Sequence, residues 1–161
     1  ILHHDPFLDG QLFEDWLLHY QHGLLILNVK EEGLENRILE LIKKYNINDY
    51  FFLDQSFPFL RKTSNEGESK CAVRVSEYED INTALSLSGM VKWVWIDCFT
   101  FFPLSLEDAK KLKAAGFKLC FVSPELQGYT DHSYVENFRD KIKLLGIKGD
   151  AVCTKYPDLW A

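Results

Sequence analysis

Two short stretches of this sequence combine side chains that could do chemistry. At the start, Ile1-Leu2-His3-His4-Asp5-Pro6-Phe7 sets an imidazole beside a carboxylate at the end of a brief apolar run. Further on, Leu24-Leu25-Ile26-Leu27-Asn28-Val29-Lys30 is an apolar run whose tail turns polar. In an extended strand alternate side chains share a face, so Asn28 and Lys30 project together. An imidazole titrates near neutral pH and can give or take a proton. An ammonium offers fixed positive charge, and an amide oxygen can coordinate a hard cation such as Mg²⁺ or Ca²⁺.

The remaining reactive side chains read as structural. His3 alternates with His4 and should point away from it. His19 and His22 stand at i, i+3 on an expected helix, a spacing that suits a metal, but no acidic or thiol ligand adjoins them. His132 falls in a polar loop. The cysteines Cys71, Cys98, Cys120 and Cys153 are widely spaced without a C-x-x-C pair, which favours small buried hydrophobes and a reducing, cytoplasmic setting. Asp97, at the end of a strand-like run, reads as a turn cap. Phe99, Phe101 and Phe102 follow that strand end and could line an apolar channel. The formal net charge is −6, with no cluster of more than two adjacent Lys/Arg residues, which argues against a nucleic-acid or anionic-membrane surface. No apolar run is long enough for a transmembrane helix, and no secretory signal pattern is present.

The elements that must position these residues follow a regular beat. Phe13, Trp16, Leu17 and Tyr20 recur at helical spacing, predicting a helix over 11–22. Strand-like runs then begin at Leu24, Tyr50, Cys71, Lys92, Phe117 and Asp150, with helical segments between them. Ser76-Glu77-Tyr78-Glu79 and Ser133-Tyr134-Val135-Glu136 read as capping boxes, and Ser105 as another helix start. Residues 63–70 read as a loop. Strand-helix alternation with nearly all-apolar strands is the pattern of a parallel sheet, and no linker interrupts it, so residues 1–161 form a single α/β domain. No glycine-rich turn follows the first strand, as a dinucleotide-binding sheet would have. Polar residues instead close several strands: Asn28 and Lys30, Asp54 and Gln55, Arg74 and Ser76, Asp97, Ser123 and Thr154. That is where a (β/α)₈ barrel carries its functional groups. Six such strands are visible, too few to close a barrel of eight, so the expectation is either two further strands ahead of Ile1 or an open α/β sheet.

The order of these motifs resembles the glycerophosphodiester phosphodiesterase superfamily, which includes phosphatidylinositol-specific phospholipase C and the spider-venom type of phospholipase D. His4-Asp5 is similar to its His-Asp pair, and Asn28-Val29-Lys30 stands where the family has Glu-x-Lys or Asp-x-Lys. Gln55-Ser56-Phe57 is similar to the Ser-Phe after the fourth strand. Gly149-Asp150-Ala151-Val152-Cys153-Thr154-Lys155-Tyr156-Pro157 resembles the closing motif, with Lys155 in place of an Asp. The resemblance implies an α/β fold of the (β/α)₈ TIM barrel, PLC-like phosphodiesterase type, lacking its first two strands ahead of Ile1. It further implies a small-molecule phosphodiester substrate, a glycerophosphodiester or related phospholipid head group. His4 would act as general acid, oriented by Asp5, Lys30 would neutralise the phosphate, and Asn28 would approach a divalent cation, Mg²⁺ or Ca²⁺. Because an amide replaces a carboxylate at Asn28, the alternative is a catalytically inactive barrel of the same family that binds or serves structurally. The piece alone is expected to be inactive and to self-associate through exposed sheet edges.

Overall fold

The computed structural model describes residues 1–3 and 8–161. After a short helix α1 (Phe13–Leu17), strands β1 (Leu25–Asn28), β2 (Tyr50–Leu53), β3 (Ala72–Val75), β4 (Trp93–Ile96), β5 (Lys118–Val122) and β6 (Ala151–Cys153) alternate with helices. These are α2 (Glu35–Lys44), α3 (Phe57–Asn65), α4 (Ile81–Leu85), α5 (Leu106–Ala114) and α6 (His132–Leu144). Strand pairing is parallel throughout: β1 with β2, then β3, β4, β5 and β6 in sequence order. A parallel bridge between Phe52 and Cys71, with the Phe52 N–H donating to the Lys70 carbonyl at 2.8 Å, joins the two groups. The strands therefore lie side by side in chain order, each crossover passing a helix to the next strand. No helix among the described residues is long and apolar enough to cross a membrane.

The two faces of this sheet are covered differently. Leu25, Leu27, Tyr50, Phe52, Val73, Val75, Val94, Ile96, Leu119 and Phe121 pack with helix residues such as Leu41, Leu60, Ala84, Leu112 and Ile142. The opposite face, built from Phe51, Leu53, Ala72, Trp93, Trp95, Cys120 and Val122, gathers no α-helical residue. Yet Phe51 is 0% and Trp93 4% exposed. They are buried because the face is concave: the Phe51 ring on β2 stacks on Trp93 of β4, centroids 4.7 Å apart, across the small Ala72 of the strand between. All five crossover helices on one face and aromatic rings meeting across the other mark a singly wound, curved sheet.

Several local expectations are corrected. Helix α1 spans five residues, so His19 and His22 lie beyond it, both exposed. Helix α3 runs on to Asn65, into the expected loop. Ser76 and Glu79 do not open a helix; they pair in a tight antiparallel bridge, Asp80 caps α4, and Tyr78 is 76% exposed. Asp131, not Ser133, caps α6, accepting from the Ser133 N–H. In both cases an Asx side chain nearer the helix start takes the capping role.

Candidate functional site

The carboxyl ends of β1 to β4 bring one set of polar side chains to the mouth of the concave face. Strand alternation carries the inward positions Ile26, Ala72 and Trp95 on to Asn28, Arg74 and Asp97. Asp54 breaks the rule. Continuing from inward Phe51 and Leu53 it would face outward, but its backbone adopts a left-handed conformation with φ of 59°. Aspartate is among the residues that tolerate this region, at a cost of about 1–2 kcal/mol. The turn brings its carboxylate to Asn28, whose Nδ2 donates to Asp54 Oδ2 at 2.9 Å.

Arg74 stands at the centre. Its Nε donates to both oxygens of Glu79 at 2.8 Å, and Ser76 Oγ donates to Glu79 Oε2 at 2.7 Å. One Nη lies 3.9 Å from Asp54 and 3.9 Å from Asp97, an ion-pair distance too long for a direct hydrogen bond. Burial works against the Arg74 charge, but Glu79 first, then Asp54 and Asp97, raise its pKa further. Asp97 is only 5% exposed and accepts from the Cys98 N–H at 3.1 Å and from Gln127 Nε2. Burial raises its pKa, against the lowering pull of those two donors and of Arg74. A cleft of about 720 Å³ opens between the ends of β2 and β3, bordered by Asp54, Ser56, Phe57, Arg74, Tyr78 and Glu79.

Of the residues singled out in the sequence, Asn28 ends β1 on this rim, and Lys30 follows two residues later, exposed. His4 and Asp5 lie outside the described residues. The polar residues closing β5 and β6 serve as locks: Ser123, fully buried, accepts from Trp160 Nε1 at 3.1 Å, and Thr154 donates to Glu125 at 2.6 Å. Burial pushes the Cys71 and Cys98 thiols up to about 12, which leaves them protonated and poor nucleophiles. Sequence reasoning placed Arg74 and Asp97 at strand ends but assigned neither of them a role in the site. The available signal was their place at strand ends on the inward alternation; Asp97 does cap its turn, and it also faces Arg74.

No protein-family model and no curated protein sequence matches the chain. The site's chemistry is therefore argued from its own groups. Among the described residues no three His, Cys, Asp or Glu side chains are grouped closely enough to hold a metal ion. Asn28 and Asp54 supply too few oxygens for Mg²⁺ or Ca²⁺, which take six or more. The described residues thus do not by themselves fit a divalent cation. They do form a net-acidic array, with Asp54, Asp97 and Glu79 around the single cation Arg74, of which Asp54, Arg74 and Glu79 border the cleft.

Proposed function

We propose that the chain is the carboxyl-terminal part of a PLC-like (β/α)₈ barrel, and that this barrel, completed by two strands ahead of β1, hydrolyses glycerophosphodiesters or related phospholipid head groups. The observation that carries the reading is the winding: six parallel strands in chain order, every crossover helix on one face, and polar strand ends gathered at the mouth of the other. A barrel is the closed form of such a sheet, and its carboxyl-end mouth is where its enzymes work.

In this reading water attacks phosphorus and the bond to the alcohol oxygen breaks. His4 donates the proton that the leaving oxygen needs, with Asp5 holding its imidazole, while a base from the completing strands takes the proton of the attacking water. Lys30 stands against the phosphate oxygens, where charge builds up in the transition state. Losing such a general acid costs about 10²–10⁴-fold in rate.

A second reading, a barrel that binds without cleaving, is favoured by one contact. The Asn28 amide is engaged with Asp54 where the resemblance calls for a carboxylate. One experiment separates the two. The protein extended ahead of Ile1 is assayed for alcohol release from glycerophosphodiesters, alongside its His4→Ala variant. Turnover that falls at least about a hundredfold in the variant supports the enzyme. Turnover unchanged in the variant rejects the role of His4, and ligand binding with no turnover favours the second reading.

A further inference from the structure

The turn between β3 and α4 carries two glutamates that face opposite ways. Glu79 turns inward and clamps Arg74. Glu77 reaches to the neighbouring loop after β4, where its carboxylate accepts from the N–H groups of Phe99 at 3.2 Å, Thr100 at 2.6 Å and Phe101 at 2.7 Å. The Thr100 hydroxyl adds a fourth bond at 3.1 Å. Three successive N–H groups converging on one carboxylate make a strong anchor, since hydrogen bonds to a charged acceptor are worth about twice neutral ones. The anchored loop leaves directly from Asp97, whose carboxylate is held by the Cys98 N–H. The same loop is pinned from the far side, where Tyr129 donates to the Phe99 carbonyl at 2.8 Å.

We infer that Glu77 is a positioning residue for the rim: by gripping residues 99–101 it fixes the start of that loop, and so sets where the Asp97 carboxylate sits against Arg74. The inference rests on reading the carboxyl-end rim as the functional site. Its pattern is economical, since a single turn fixes both members of the Arg74–Asp97 pair, one through Glu79 and the other through Glu77. The ionisation of Glu77 agrees with the geometry. Burial raises its pKa, yet the N–H groups of Phe101, Thr100 and Phe99 hold it down to about 2, so the grip is fully charged at neutral pH.

The test uses this chain and no substrate. Glu77→Gln keeps the side-chain shape but replaces one acceptor oxygen with an amide that is itself a donor. Amide hydrogen exchange at Phe99, Thr100 and Phe101 is expected to quicken at least about tenfold while exchange in β4 and β5 stays as it was. The titration of the Asp97 carboxyl, followed by ¹³C NMR, is expected to move, because the loosened loop displaces Asp97 and Cys98 relative to the groups that face the carboxyl from other elements (Arg74, Gln127 and Cys153). A loop that merely needs an anchor would show the first change without the second. Exchange unchanged, or exchange quickened with the Asp97 titration unmoved, overturns the inference. Glu77→Asp, which keeps the charge but shortens the reach, should fall between, and is read by the same two measurements if the amide variant does not fold. Neither depends on turnover, so a failure to cleave phosphodiesters leaves this result standing, and the reverse also holds.

Discussion

Asp97 shows what a rim residue costs the fold. It is 5% exposed, and burial raises its pKa above the ordinary 3.8. A carboxylate whose folded pKa is raised favours the native state while protonated, and that contribution is lost as pH rises through the folded value. At neutral pH the charged form is therefore a burden that its donors and Arg74 only partly offset. Asp97→Asn keeps an oxygen for Cys98 and Gln127 and removes the charge. The variant is expected to melt a few degrees above the wild type at neutral pH, with the gap closing as pH is taken below 3.8. Circular-dichroism melts across that range check it. A variant that melts lower at neutral pH would show instead that attraction to Arg74 outweighs burial. Stability gained by deleting a group is a mark of sites kept for something other than stability.

At the scale of elements, α4, α5 and α6 start where a side chain satisfies one of their first N–H groups, whereas α2 and α3 have no side-chain cap. At α5 this is a reciprocal box: Ser105 Oγ accepts from the Asp108 N–H at 3.1 Å, and Asp108 accepts from the Ser105 N–H at 3.1 Å. Ser105→Ala is expected to cost about 1 kcal/mol in urea denaturation, without moving the exchange of the β3–α4 turn. The similar S-x-x-E string at Ser76 makes no such box, although Ser76 and Glu79 do bond. Arg74 claims the Glu79 carboxylate, and Asp80 caps α4. A two-residue motif is thus decided by its strongest neighbour, and here a guanidinium diverted it from helix start to site support.

At the scale of the molecule, the sheet ends in two edges, and among the described residues no strand pairs with the outer side of β1 or of β6. An exposed edge presents a row of free N–H and carbonyl groups that recruits another strand. The chain is expected to self-associate as its concentration rises in sedimentation velocity. Ile26→Lys, which puts a charge on the inward face of β1, is expected to keep it monomeric. Association of equal strength in that variant would place the contact elsewhere. Two strands added ahead of β1 should have the same effect as the lysine, because they would occupy both edges at once.

Much of the architecture was legible in the sequence. The strand–helix beat followed from apolar runs separated by helical periodicity, and all six strands lie where those runs are. The rim positions Asn28, Arg74 and Asp97 followed from two-residue alternation, a property of the backbone alone. What the sequence could not decide depends on contacts between distant segments. Asp54 joins Asn28 only because its backbone turns left-handed. Glu77 and Glu79, two residues apart, diverge: Glu79 bonds Arg74 within its own strand and turn, while Glu77 reaches Phe99–Phe101, which only the packing of β3 beside β4 brings within reach. The motif beginning at His4, from which the chemical reading started, lies outside the described residues. The arginine and carboxylates that face the cleft were supplied by tertiary structure, since charges far apart in the chain acquire a shared environment only when the strands that carry them are packed side by side.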